Sequence, residues 1–198
     1  MSTKETTKEK LTGFLKKRHD FSPGDISLIH RYVEVRRYGS KEFFVNSGQR
    51  CTEVGFTISG VFRYFFYDAQ GNEVTAHFMA ENEFVGNVTS FFEFSPSAGS
   101  IQAEVDCEVI VISRGAWDIF CKEIPQWEST IQKVVNDVLL RKTTFQRNLI
   151  NVDAQSAYLN FLNVYPTIAQ RVALNHIASY LGMTPFSLSR IRKALATK

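Results

Sequence analysis

Apolar positions along the chain change their period twice. In the first stretch, Leu11, Phe14 and Leu15, then Ile26, Ile29 and Val33, recur at helical spacing, with Ser22-Pro23-Gly24 as the break. From about residue 36 to 113 the period shortens to two. Residues 52–58 alternate, with Val54, Phe56 and Ile58 on one face, and Ser59-Gly60 turns the chain. Runs at 61–67 and 74–79 flank a hairpin loop at 68–72, and 105–112 is another β-branched strand. Of the 17 Phe, 11 lie between Phe43 and Phe94, so this zone has the side chains to fill a β sandwich or barrel.

From Arg114 onward the period is helical again. Residues 126–148, with Leu149 just beyond, carry Trp127, Ile131, Val134, Val135, Val138, Leu139, Phe145 and Leu149 along one side. The subset Ile131, Val134, Val138, Phe145 and Leu149 approximates a heptad and is interrupted by Arg141 and Lys142. It predicts a dimer seam on a helix spanning about 117–149; the alternative is packing on the chain's own strands. A further amphipathic helix is predicted over 154–164, ending before Tyr165-Pro166. No internal repeat or low-complexity tract occurs.

The next segment, LNHIASYLGMTPFSLSRIRKAL at 174–195, reads as two helices joined by a tight turn. Ile177 and Leu181 share a face of the first helix, and Leu188, Ile191 and Leu195 share a face of the second. Ala178 allows close approach, Gly182 supplies the turn conformation, and Met183 plugs the angle. Thr184 is a good N-cap, and Pro185 suits the first helical position, where no N–H is needed. These are the slots of a DNA-binding helix-turn-helix. The outer face of the second helix then offers Thr184, Phe186, Ser187, Ser189, Arg190, Arg192 and Lys193 to DNA. Arg190, one turn in, is placed to meet guanine O6 and N7, Ser187 or Ser189 to bond a base edge or phosphate, and Phe186 to pack on a thymine methyl. Arg192, Lys193 and Lys198 suit phosphates. The bland alternative is a helical hairpin with a solvated basic face.

Charge strengthens the first reading. The 198 residues carry a net +3, but residues 1–153 sum to −2, while 154–198 hold Arg171, Arg190, Arg192, Lys193 and Lys198 with no acid, +5. A basic end on a near-neutral body implies a polyanionic partner. Hydrophobic content of 44% excludes a disordered chain, and no apolar run reaches the roughly 18 residues of a membrane span. The charged N-terminal stretch MSTKETTKEKLTGF has no apolar signal core, and Cys51, Cys107 and Cys121 form no disulfide framework, so a cytoplasmic location is expected and no membrane partner.

Over nearly its whole length the chain resembles the CRP/FNR family of bacterial transcription regulators. GFTISGVFRYFFYDAQGNEVTAHFMAENEFVG at 55–86, CEVIVIS at 107–113, the long helix after Pro125 and the helix-turn-helix carry the likeness. It implies an α+β fold: an N-terminal double-stranded β-helix (jelly roll) of cyclic-nucleotide-binding type with flanking helices, a long dimerisation helix and a C-terminal helix-turn-helix. The expected boundaries are 15–149 for the roll with its helix and 154–198 for the DNA-binding domain, hinged near Asp153. The resemblance also implies a homodimer on a near-palindromic double-stranded DNA site. RNA polymerase is a candidate further partner.

Two departures from the family matter. Cyclic-AMP-binding members have a Gly-Glu pair before the phosphate-binding helix and an Arg-Ser or Arg-Thr pair after it. Here these slots hold Gly86-Asn87 and Ser97-Ala98, and SPSAGSIQAE contains no cation. A buried cyclic phosphate without its Arg loses a charge-assisted partner, so cyclic-AMP binding in the usual mode is not expected. Gly86, Asn87, Ser97, Ala98 and Thr143, the last lying where the family contacts the adenine, remain the candidate pocket residues for an unknown small-molecule effector. No cofactor is expected. On the recognition helix, Pro185 and Phe186 replace the family's Arg and Glu and only Arg190 is kept, so operator preference should differ. Residues 163–172 leave little room for a β-wing.

Other signals carry less. His19, His30, His77 and His176 have no metal-ligand spacing; His77 reads as a satisfied strand histidine, and His176 is placed to meet phosphate. The pairs Glu81/Glu83 and Glu104/Asp106 read as solvated faces. Cys107 reads as packing and Cys51 as a candidate reactive thiol. No nucleophile elbow, Gly-rich phosphate loop or H-E-x-x-H is present, so no enzyme is expected. Two other readings stand beside the regulator: a ligand-binding roll whose helix-turn-helix docks a protein, and a cupin-type enzyme, which lacks its His/Glu metal set.

Overall fold

The structure is a computed structural model that describes residues 3–196; Lys198 lies outside the described residues. Two helices, α1 (Thr3–Lys16) and α2 (Pro23–Tyr32), open the chain. Ser22 caps α2: its Oγ accepts the Asp25 N–H, and the Asp25 carboxylate accepts the Ser22 N–H in return, so two otherwise orphaned donors are satisfied.

Eight strands follow: β1 (Glu34–Tyr38), β2 (Phe43–Val45), β3 (Glu53–Ser59), β4 (Phe62–Tyr67), β5 (Glu73–Met79), β6 (Phe84–Val85), β7 (Ser100–Ala103) and β8 (Cys107–Ser113). They form two antiparallel sheets, ordered β1-β8-β3-β6 and β2-β7-β4-β5, the jelly roll expected from the sequence. The alternation read over 52–58 is only part of the truth. Gly55 and Thr57, on the supposedly outer face of β3, are buried too, because both faces of the strand are covered: Phe14 of α1 packs on Phe56, with ring centroids 4.9 Å apart, and Gly55 on the other face lies against Val85, Val109 and Phe44 of the roll.

The helix expected over 117–149 is two helices, α4 (Arg114–Glu123) and α5 (Trp127–Arg147). Pro125 explains the break: it drives Ile124 out of the helical region, to φ −114°, ψ 100°. The bend is pinned by Trp127, fully buried against Phe120 and Trp117 at 4.8 and 5.4 Å. Four helices complete the chain: α6 (Ala154–Val164), α7 (Pro166–Arg171), α8 (Leu174–Tyr180) and α9 (Pro185–Ala196). No strand occurs among the described residues after Ser113, and the segment judged too short for a β-wing is largely α7.

Two cores result. One fills the roll. The other joins Phe161, Ile177, Ala178 and Leu188 of the C-terminal helices to Phe145 of α5 and to Val61 and Phe78 of the roll. The C-terminal helices therefore share their interior with the strands that precede them by about a hundred residues.

Candidate nucleic-acid interface

The helix-turn-helix is built as its local chemistry dictates. Gly182 sits at φ +67°, where a side chain is disfavoured, and the Met183 N–H returns to the Ala178 carbonyl at 3.0 Å to close α8. Thr184 caps α9: its Oγ1 accepts the Ser187 N–H at 3.1 Å and donates to Ser187 Oγ at 3.0 Å. Ile177, Ala178 and Leu188 are buried at the crossing. The opposite face of α9 is open. Phe186 is 71% exposed with the Arg190 guanidinium 6.0 Å from its ring, and Ser189, Arg190, Arg192 and Lys193 are exposed.

The basic side chains of α9 divide between two clefts. Ser187, Arg190 and Lys193 line a cleft of about 680 Å³ together with Gln155 from the first turn of α6. Arg192 points elsewhere, into a separate cleft beside Tyr158, Pro166 and Gln170. The first cleft combines two cations, a hydroxyl and the positive end of an eleven-residue helix, the composition of a site for backbone phosphate.

Not all the basic groups of this segment face outward. Arg171 lies against Glu81 with both terminal nitrogens, at 2.6 and 2.9 Å. This contact holds the Glu81 carboxyl at about 2, well below its ordinary value, against the opposing effect of burial. His176, expected to meet phosphate, lies 2.8 Å from the Glu104 carboxylate through Nδ1, which must carry a proton to make that bond. Glu104 is 5% exposed and is gripped from behind by Arg63, whose Nε is 2.9 Å away. Arg63 is 1% exposed; it also pairs with Glu73 at 2.6 Å and lies over the Phe65 ring at 4.0 Å. Glu83 pairs with Arg141 of α5. Glu81, Glu83 and Glu104 are thus not a solvated face, as their sequence context suggested. Their partners lie far along the chain, so no local pattern could reveal them.

The five candidate pocket residues are only partly brought together. Asn87 caps α3 (Val88–Glu93) through Oδ1, which accepts the Ser90 N–H at 3.0 Å. Its Nδ2 donates to Ser97 Oγ at 2.8 Å, and Ser97, 2% exposed, donates to the Gly99 carbonyl at 2.6 Å. Gly86 precedes this cluster directly, and Ala98 is exposed. Thr143 is exposed on α5 and donates back to the Leu139 carbonyl, within its own helix. Cys51, read as a candidate reactive thiol, is buried between the Asn87 N–H and the Glu53 carbonyl, and burial pushes its thiol up. Cys107 is buried and raised to about 12 for the same reason. The expected satisfied histidine, His77, instead has a buried Nδ1 without a partner, and burial, aided by Lys142 and Arg141, holds the ring at about 4.

The predicted seam on α5 is turned inward. Val134 and Phe145 are buried within this chain, Ile131 packs on the roll core and Leu149 on the second core, while Val138 is half-buried. The exposed apolar side chains lie on the other side: Leu139 at 52%, Leu140 at 67% and, just past the helix, Ile150 at 66%.

Comparison with known proteins places this arrangement. Residues 35–123 match the cyclic nucleotide-binding domain family. The regulator CRP of Salmonella typhimurium, described as a cAMP-activated global transcriptional regulator, is 23% identical over 140 residues, 70% of this chain and 61% of that one. Vfr of Pseudomonas aeruginosa, described in the same terms, is 29% identical over 116 residues, 55% of this chain and 52% of its own. The chain is similar to regulators of the CRP/FNR type. It spans about three fifths of the length of the CRP relatives it matches. In fold, the chain superposes on CLP of Xanthomonas campestris with a TM-score of 0.71 at 18% identity, over 89% of this chain and 92% of CLP. It matches FixK2 of Bradyrhizobium japonicum with a TM-score of 0.70 at 15% identity, over 83% and 85%. At such identities these likenesses speak for the fold alone. Among the described residues, no helix is long and apolar enough to cross a membrane and no cluster of ligating side chains could hold a metal.

Proposed function

We propose that the chain is a non-catalytic, sequence-specific DNA-binding transcription regulator, acting in the cytoplasm as a homodimer. The observation that carries this reading is the exposed face of α9, with Phe186, Ser189, Arg190 and Lys193 presented on a helix whose other face is locked by Leu188 and whose start is capped by Thr184. Arg190 is the candidate for base readout. Lys193 with Gln155 and Ser187, and Arg192 separately, are candidates for the phosphates that set register.

The homodimer reading favours the Leu139, Leu140 and Ile150 side of α5 over the stripe first read from the sequence, whose Val134 and Phe145 are occupied within the chain. A 21-residue helix gives a seam about 30 Å long, and two motif copies must sit roughly 34 Å apart on a two-fold operator. In the domain assignment we favour, the roll and α5 precede a DNA-binding unit that starts at α6, with Asp153 as its cap.

The effector reading stays negative for cyclic AMP. CRP and Vfr are named for cyclic AMP, and CLP is described as responsive to c-di-GMP; the hydrogen bond between Asn87 and Ser97, the residues that the resemblance aligns with the family's phosphate contacts, supports a closed pocket here. Selection of an operator from random duplexes, repeated with a panel of cyclic nucleotides and small metabolites, tests the whole reading. Salt-dependent enrichment of a two-fold sequence is the expected result. Salt-insensitive or absent DNA binding favours the alternative, a roll whose helix-turn-helix docks a protein.

A further inference from the structure

We propose that Arg171 and His176 are positioning residues that fasten the helix-turn-helix unit to the β4–β5 side of the roll, through Glu81 and Glu104, so that α9 is presented at one fixed angle to α5. This deepens the DNA-binding reading and rests on it for its consequence, though not for its geometry.

The polar side chains of the C-terminal segment divide their work by helix. Arg171 of α7 and His176 and Ser179 of α8 reach the roll, whereas α9 turns its cations outward. Ser179 Oγ accepts the Thr75 N–H at 3.0 Å and donates to the Glu73 carbonyl at 3.1 Å, so one hydroxyl ties into the edge of β5. Glu81 also accepts the Gly60 N–H at 2.8 Å, which fixes its carboxylate before Arg171 arrives. Glu104 is fixed in the same way by Arg63. Both acids are therefore preorganised, and little side-chain freedom is lost when the helices dock.

The apolar part of the interface does a different job. Phe78 of β5 meets Tyr180 at 5.3 Å and Phe161 at 6.3 Å. Such burial is adhesive but non-directional and tolerates sliding or rotation. A bidentate guanidinium–carboxylate contact does not, because two parallel hydrogen bonds define a plane. Both ionic contacts are made by residues that precede Ser179, Arg171 to Glu81 in the turn after β5 and His176 to Glu104 in the turn after β7. A rotation of α8 that kept the aromatic contact would break Glu81–Arg171, Glu104–His176 or both. Glu81 follows the β4–β5 hairpin, and Glu104 follows β7, the neighbour of β4, where the buried Arg63 holds it, so a shift of this sheet is transmitted to α8 as a change in angle.

The test uses the full chain with two readouts. Glu81→Gln keeps the side-chain shape and removes the charge. Amide hydrogen exchange over residues 166–180 should quicken about 3- to 10-fold in this variant while exchange in β3 and β8 stays unchanged. Arg171→Gln should quicken exchange to a similar extent, and the double variant with Glu81→Gln should quicken it no further than either single change. In Glu81→Gln, affinity for the selected operator should fall about 3- to 10-fold while affinity for a scrambled duplex holds, because only the operator requires both heads at a set spacing. Unchanged exchange in Glu81→Gln, or effects of the two single changes that simply add in the double variant, overturns the fastening. Faster exchange with unchanged or tighter operator binding overturns the positioning role. If the wild-type chain binds no duplex at all, the DNA-binding reading fails, and the exchange measurements alone decide whether the fastening exists.

Discussion

Asn87 and Ser97 satisfy each other: the amide nitrogen of one donates to the hydroxyl of the other at 2.8 Å, in the slots we propose as those of a nucleotide phosphate. Millimolar cyclic AMP is therefore expected to leave the thermal unfolding midpoint unchanged in differential scanning fluorimetry. Asn87→Ala removes both the cap of α3 and the bond to Ser97, and should lower stability by about 1–2 kcal/mol in urea denaturation. A clear upward shift with cyclic AMP would show that the pocket accepts the phosphate after all.

Arg190 and Lys193 should separate by specificity. Arg190→Ala is expected to cost about 1–3 kcal/mol on the selected operator and to relax one base position, measured by competition with single-base variants. Lys193→Ala should weaken all duplexes alike and reduce the salt slope by about one. Equal behaviour of the two variants on every sequence would remove Arg190 from base readout.

The two faces of α5 should respond in opposite ways. Leu139→Glu combined with Leu140→Glu is expected to yield monomers by sedimentation equilibrium with little change in monomer stability, since both side chains are exposed. Phe145→Ala should cost about 3–5 kcal/mol, because its ring is 3% exposed and stacks on Tyr180 at 5.5 Å. A dimer that survives the first change would move the seam elsewhere.

Acid should act in two stages. Burial, with Lys142 and Arg141 adding to it, holds His77 at about 4 against an ordinary 6.5, so the unfolded chain takes up this proton first. The stability contributed by keeping His77 neutral is whole above about 6.5 and is lost as the pH falls towards 4. Glu81, held at about 2 against 4.5 chiefly by Arg171, contributes above 4.5 and loses that contribution as the pH falls towards 2. Urea midpoints measured across this range should show both losses, with His77→Gln flattening the upper and Glu81→Gln the lower.

Breaking the buried charge network should be far more costly than loosening its rim. Glu104→Ala leaves Arg63, 1% exposed, short of one of its two carboxylates, and about 3–5 kcal/mol of stability should be lost in denaturant titration.

The helix-turn-helix could be read from sequence because its determinants are local. Gly182, Thr184 and Pro185 act on their neighbours, and Ile177, Ala178 and Leu188 meet within a dozen residues. The roll was legible for a similar reason, since hairpins join strands that follow one another. The fastening was hidden because Glu81 and Arg171 lie 90 positions apart, and an acid beside a turn looks the same whether water or a guanidinium faces it. The α5 stripe misled for another reason. Its period shows that one side is covered but not what covers it, and here the cover is the chain's own cores. Pro125 did carry the signal for the helix break, but the apolar rhythm on either side of it concealed the bend.

Phe78 belongs to the roll in sequence and to the C-terminal helices in packing, and this sets a rule for recombination between relatives. A crossover at residue 150 would deliver a C-terminal head with a phenyl-sized notch and leave behind a roll with a bare aromatic knob. Functional chimeras should therefore be found where the β4–β5 hairpin travels with the head, so that the heritable unit of operator choice begins inside the roll, well upstream of the helix we propose as the DNA reader.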